Sequence, residues 1–213
     1  MPGITVGAPR SFIERGWPAV AAPIQVGDQH IEPYFRASRQ LSLSIAPFAL
    51  SMLLPAMKLG MSLTAAAPLS PEFMAAQERL QRLFLAPFQW LQHATVGPIA
   101  DQPPALAAAS QPDQRGVFLF FSGGVDSFYT PLRLRDEITH CVFVHGFDTL
   151  LEHADVGARN VRAMRQAAAE LGKPLLEIET NYRSCVDRFE PWNHHSAMVA
   201  QFAIVCALSN QFK

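Results

Sequence analysis

Val117-Phe118-Leu119-Phe120-Phe121-Ser122-Gly123-Gly124-Val125-Asp126-Ser127 decides the reading of this chain. The unbroken apolar run Val117 to Phe121 predicts a strand covered on both faces, the pattern of a parallel strand. Gly123 and Gly124 predict a sharp turn, and the residues beyond them predict a helix from about Ser127 to Arg135. Strand, glycine turn and helix N-terminus together make an anion site. Successive N–H groups of the turn form a concave nest, and the first N–H groups of the helix lack intrahelical partners and carry the positive end of its dipole.

Without a Cβ, Gly123 and Gly124 let a phosphate approach the main chain, and Ser122 and Ser127 add hydroxyl donors. Asp126 adds repulsion beside a polyphosphate. It is explained if it holds Mg²⁺, or if it caps the helix. The motif therefore points to a metal-bound nucleotide. Two other phosphate loops are excluded: no Lys-Ser or Lys-Thr pair follows the last glycine, and the three spaced glycines of the dinucleotide fingerprint are missing.

At every defining position, Ser122-Gly123-Gly124-Val125-Asp126-Ser127 resembles the PP-loop of the N-type ATP pyrophosphatases, the adenine nucleotide alpha hydrolase group. That group includes GMP synthetase, asparagine synthetase, argininosuccinate synthase, NAD synthetase and the tRNA-thiolating enzymes. The resemblance runs from Gly116 onward. It implies an α/β domain with a parallel, doubly wound, Rossmann-like sheet. It also implies ATP and Mg²⁺ as cofactors, and cleavage between the α and β phosphates with AMP placed on a substrate oxygen. Ser122, Gly123, Gly124 and Ser127 bind phosphate in that reading, Asp126 orients the metal, and Asp126 and Ser127 are the catalytic candidates.

Downstream, an alternating α/β order is predicted. Strand two is His140 to His145, with Gly146-Phe147-Asp148 at its carboxyl end. A helix runs from about Val156 to Leu171, strand three is Leu175 to Thr180, and a last apolar helix is Ser196 to Leu208. Pro131 falls inside the helix after the loop and predicts a kink there. Ligands of doubly wound sheets bind at the carboxyl ends of strands, which selects the loops Ser122 to Ser127, His145 to Asp148 and Thr180 to Arg183. The resemblance makes Val144, His145 and Gly146 candidates for adenine contact. Asp148 is a candidate for ribose or metal, or part of a plain turn. Arg183 is open between phosphate, a substrate carboxylate and the solvent. Cys185 invites a sulfur-transfer reading, and His194 and His195 are open between a cleft role and a packing or cap role.

The chain stops at Lys213, where the resembled sheet would continue with a fourth strand. This implies a sheet truncated after its third strand, through a fragment of a longer protein or a reduced site. Nucleotide binding is thus better supported than turnover, and a non-catalytic nucleotide-binding module is the competing reading.

The N-terminal half, residues 1–100, reads as a small α+β region preceding the 116–213 domain. Ile31 to Ile45 reads as one or two strands, from the alternation at Gln40-Leu41-Ser42-Leu43-Ser44-Ile45. Pro47 to Lys58 predicts a short helix stopped by Gly60, and Ser70-Pro71 predicts the cap and first turn of a helix to about Leu85. Residues 101–115 are rich in Pro, Ala, Gln and Ser and read as a linker.

Seventeen basic residues, 17, against 18 acidic ones give a net charge of −1, with no bulk attraction to nucleic acid or anionic membrane. A tRNA would need a local basic patch. Arg133 and Arg135, and Arg159, Arg162 and Arg165, fall mostly at helical spacings that read as solvated faces. Cys141, Cys185 and Cys206 make no metal or disulfide pattern and suit a cytoplasmic setting. The uncharged stretch Leu41 to Met57 holds Pro47, Pro55 and several serines, and reads as a buried segment rather than a span. The partners expected are ATP and an acceptor whose identity the sequence leaves open, and an oligomer is compatible with all of this.

Overall fold

The computed structural model describes residues 3–99 and 115–212. The expected linker, 101–115, lies outside them apart from Arg115. The N-terminal part contains β1 (Gly3–Val6), β2 (Arg10–Glu14), β3 (Trp17–Ala21), β4 (Ile24–Val26), β5 (Gln29–Ile31), β6 (Tyr34–Ala37), α1 (Ala46–Ser51), α2 (Leu53–Leu59), β7 (Ser62–Ala65), α3 (Pro71–Leu85) and β8 (Val96–Pro98). The C-terminal part contains β9 (Phe118–Phe120), α4 (Val125–Arg133), β10 (His140–His145), α5 (Ala154–Glu170), β11 (Leu175–Thr180), α6 (Tyr182–Val186) and α7 (His194–Ala207).

These strands form two mixed sheets, ordered β5-β4-β1-β7-β8 and β2-β3-β6-β11-β10-β9. The expectation of a parallel, doubly wound sheet preceded by a separate α+β region is therefore corrected. β9, β10 and β11 do run parallel. The sheet then continues past β11 with β6, β3 and β2, all antiparallel. In the other sheet β1 pairs with β4, and β4 with β5, antiparallel, while β1 with β7 and β7 with β8 are parallel.

The physical reason lies at the edge of β11. A strand edge presents a row of unpaired N–H and C=O groups. β6 satisfies this one in register, with Ala37 opposite Ile178, Arg36 opposite Glu179 and Phe35 opposite Thr180. Side chains reinforce the seam. Thr180 Oγ1 donates to the Tyr34 carbonyl at 2.6 Å, the Tyr34 N–H donates to Asn181 Oδ1 at 2.8 Å, and Asn181 Nδ2 donates to the Glu32 carbonyl at 3.1 Å.

One core accordingly draws on both parts of the chain. Phe35, Phe48, Met52 and Leu53 pack in the same cluster as Leu176, Ile178, Tyr182, Val199 and Ile204. Full burial of each such side chain stabilises by about 1.5–3 kcal/mol. A smaller cluster of Phe121, Cys141 and Ala168, with Phe128 and Met164 against it, lies between the parallel strands and α4 and α5.

Several helix ends follow the sequence signals. Ser70 Oγ accepts from the Phe73 N–H at 3.2 Å, with Pro71 in the first turn of α3. Gly60 closes α2 at φ 63°. The stretch 41–57 forms a loop, α1 and most of α2, with Phe48, Met52, Leu53 and Leu54 buried. No helix among the described residues is long and apolar enough to cross a membrane.

The alternating run 40–45 is not a strand. Its backbone bonds elsewhere, as where the Ser42 N–H donates to the Ala207 carbonyl at 2.8 Å. The helix after the glycine turn begins at Val125, two residues earlier than expected, and ends soon after Pro131.

Candidate functional site

The glycine turn forms as strand, turn and helix. Gly123 has φ +89°, and a Cβ there would lie 2.9 Å from Met164 Cε. Gly124 stands at the N-cap of α4 in extended conformation. A Cβ on Gly124 would meet only Ser122 Oγ, at 3.8 Å, so open space lies over this part of the turn. Ser127 ties the turn together: its Oγ accepts from the Gly123 N–H at 3.1 Å and donates to the Gly124 carbonyl at 2.7 Å. Ser127 is buried and Asp126 is exposed. Of the first N–H groups of α4, that of Ser127 donates to the Gly124 carbonyl at 3.1 Å, which leaves those of Val125 and Asp126 for an anion. That donor set, with an open glycine cradle and an exposed carboxylate, fits a phosphate and a magnesium ion; Mg²⁺ is ordinarily held by one or two carboxylates together with phosphate oxygens and water.

The end of β10 is shaped by a second glycine. Gly146 has φ +95°, and its N–H donates to the Thr149 carbonyl at 3.1 Å, which turns the chain sharply. Ser122, Val144, His145, Gly146 and Asp148 all line one cleft of about 620 Å³. Gly123, Gly124, Asp126 and Ser127 do not line it; they lead from Ser122 into α4. The first turns of α5, with Ala154, Gly157, Ala158 and Val161, supply a wall of small side chains.

The opposite wall is a ladder of charged groups on one face of the six-stranded sheet. Glu177 is 8 % exposed and receives a bidentate Arg165, Nε to Oε1 at 2.7 Å and Nη2 to Oε2 at 2.9 Å. His145 Nε2 lies 3.2 Å from Glu177 Oε2. Burial pushes the Glu177 carboxyl up, but the bonds and charges of His145 and Arg165 outweigh it and leave the group below its usual range. One row further on, Arg36 is 4 % exposed and reaches Glu179 Oε2 at 2.5 Å and Glu14 Oε2 at 3.4 Å. The Tyr34 hydroxyl donates to Glu179 Oε1 at 2.7 Å. Burial and the Glu179 bond push this phenol up, so Tyr34 remains a donor.

The other candidates lie outside the cleft. Arg183 Nη1 donates to the Phe147 carbonyl at 2.6 Å, and its guanidinium sits 4.8 Å from the centre of the Trp192 ring. It braces the loop after β10 from behind. Cys185 is buried, and burial pushes its thiol up, which does not suit a thiolate nucleophile. His195 packs on Phe88, ring centres 4.1 Å apart, while His194 is exposed at the start of α7. Asn193 caps that helix, accepting from His195 and Ser196 N–H groups in a capping box.

Sequence reasoning missed the wall residues Arg15, Trp17, Tyr34, Arg36, Arg165, Glu177 and Glu179. One signal was present. Glu177 and Glu179 alternate within Leu175-Leu176-Glu177-Ile178-Glu179-Thr180, and a strand covered on both faces by apolar packing does not carry two carboxylates on one side. No family model, curated protein or solved structure matches the chain.

Proposed function

We propose that this protein binds ATP with Mg²⁺ and adenylates a substrate oxygen, releasing pyrophosphate. One observation carries the reading: Ser122, the first residue of the glycine turn, and Val144, His145, Gly146 and Asp148 line the same cleft at the carboxyl ends of β9 and β10. Phosphates at the turn and a base at the end of β10 are thereby within one ligand's compass.

In this reading the N–H groups of Gly124, Val125 and Asp126 receive the phosphates, helped by Ser122, while those of Gly123 and Ser127 are engaged in holding the turn. Ser127 keeps the turn in its receptive shape. Asp126 would hold Mg²⁺ together with phosphate oxygens, and the ion when bound would supply positive charge against the leaving pyrophosphate. The protein contributes position and fixed dipoles aimed at that charge. An acceptor oxygen forms a bond to the α-phosphorus as the bridging bond to the β-phosphate breaks, and the electron pair leaves with pyrophosphate.

A second reading, nucleotide binding without turnover, is favoured by the engagement of nearby guanidiniums. Arg36 is held by Glu179, Arg165 by Glu177 and Arg183 by the Phe147 carbonyl, so each is already committed to the protein. Titration of ATP with and without Mg²⁺, on wild type, Asp126→Ala and Ser127→Ala, with AMP and pyrophosphate assayed in the same samples, tests both. Mg²⁺-dependent binding that both substitutions weaken, with pyrophosphate formed, supports adenylation. Binding without pyrophosphate supports the second reading. Absence of binding in wild type removes both.

A further inference from the structure

The cleft has an end that the nucleotide leaves unused, closed by the β2–β3 hairpin. Glu14 pairs with Trp17 across a two-residue turn. Both turn residues are left-handed, Arg15 at φ 49° and Gly16 at φ 78°, the pattern of a type I′ turn. Such turns favour Asn, Asp or Gly, and a left-handed side chain of another type is strained. Arg15 is the one non-glycine residue with positive φ among the described residues, and it lines the cleft.

At this end the carboxylates are matched, which leaves the exposed Arg15 without an opposite charge and the buried Nε of Arg36 without an acceptor. Glu179 is matched by Arg36 and Tyr34, and Glu177 by Arg165 and His145. Arg15 has no hydrogen-bond or ion-pair partner among the described residues. Two residues along the chain stands the half-buried ring of Trp17, while Tyr34 lines the same cleft farther along, opposite Ala21 at the other end of β3. A guanidinium next to an indole selects a flat body bearing an anion, because the planar fork matches a carboxylate and the ring offers a face for stacking. A cleft of about 620 Å³ that also takes a nucleotide leaves room for a small molecule only.

We infer that the hairpin end of the cleft is the acceptor subsite and takes a small planar carboxylic acid, its carboxylate on Arg15 and its ring against Trp17. The role of acceptor rests on the ATP reading; the binding chemistry does not.

The test uses the whole chain and two probes, 4-fluorobenzoate and its neutral counterpart 4-fluorobenzamide, followed by fluorine NMR, with ATP titrated in parallel. Arg15→Asn is the key variant because Asn suits the left-handed turn and folding is retained. Wild type is expected to bind the benzoate in preference to the amide. Arg15→Asn should weaken benzoate binding at least about tenfold, the scale of a lost charge-assisted bond, and leave ATP affinity unchanged. Trp17→Leu should weaken both probes. Equal binding of benzoate and amide, equal benzoate binding by wild type and Arg15→Asn, or no benzoate binding by wild type overturns the inference. Loss of ATP binding with benzoate selectivity intact instead overturns the nucleotide reading and keeps the anion site.

Discussion

Gly146 lies so close to Thr180 that a Cβ on the glycine would overlap the threonine's carbonyl oxygen. The contact joins the end of β10 to the end of β11 at the floor of the cleft, and φ +95° at Gly146 disfavours any side chain there independently. Gly146→Ala combines a steric clash with backbone strain. It is expected to destabilise the protein by roughly 3 kcal/mol or more and to displace Val144 to Asp148. Urea unfolding reads the first effect and ATP titration the second.

Arg183 supports the same loop from the other side. Arg183→Met keeps much of the apolar stem but leaves the Phe147 carbonyl without its donor and removes the stacking on Trp192. A loss of about 1–3 kcal/mol is expected, with ATP affinity reduced several-fold. Arg183→Lys should recover little, since an ammonium lacks the planar fork that bonds and stacks at once. If Arg183→Lys proves as stable as wild type, the guanidinium geometry does not matter there.

These two residues also mark how far the sequence could be read. The bounds His140–His145 and Leu175–Thr180 were legible because each run is dense in β-formers and flanked by turn residues. The glycine turn was legible because Ser, Gly and Asp at that spacing serve one geometry. What could not be read is pairing between distant segments. Nothing local to Tyr34-Phe35-Arg36-Ala37 says that it joins β11, more than 130 residues away, so the mixed sheet and half of the cleft wall stayed hidden. The short strands β1 to β5 have too little periodicity to be legible, at three to five residues each, and β3 contains Pro18, a residue that central strands disfavour. The sequence leaves Arg183 open between phosphate, a substrate carboxylate and the solvent because its hydrogen-bond acceptor is the Phe147 carbonyl, which leaves no mark in a side-chain pattern; only its ion pair with Asp187, four residues on at 3.6 Å, has a sequence signature.

The Glu177 carboxylate should control part of the acid stability. Its pKa in the folded chain lies below the ordinary value. The stabilisation is thus fully present above the unfolded value of about 4.3 and is lost as pH falls through the folded value. Wild type should lose stability below about pH 4.3 more steeply than Glu177→Gln. Near neutrality the Gln variant is the less stable, by about 1–3 kcal/mol, because Arg165 and His145 lose a charged partner. Urea midpoints of both proteins from pH 3 to 7 measure the difference, and parallel curves would show that Glu177 does not carry this dependence.

The thiols offer a test of the packing. Burial pushes Cys141, Cys185 and Cys206 up from their ordinary range, Cys206 to about 11. At pH 8 a native chain therefore presents little thiolate, and reaction with a thiol-specific disulfide reagent is expected to be at least about tenfold slower than in denaturant. Rapid labelling of Cys185 in the native state would reopen a sulfur-transfer role for it.

The adjacent glycines of the turn separate folding from binding. At Gly123 the positive φ and the nearness of Met164 mean that Ala strains the backbone and pushes on a core side chain; Gly123→Ala should lose about 1–3 kcal/mol of stability along with ATP affinity. At Gly124 the backbone is extended and the space is open. Gly124→Ala should then fold within about 0.5 kcal/mol of wild type, as a substitution free of clash or strain does. Its methyl group would stand where a phosphate must approach the main chain, so ATP affinity is expected to fall at least about tenfold. Urea unfolding and ATP titration of the pair provide the comparison. A Gly124→Ala protein that folds normally and binds ATP as wild type does would mean that the phosphates do not enter the turn at Gly124, and the assignment of the turn as their cradle would fall with it.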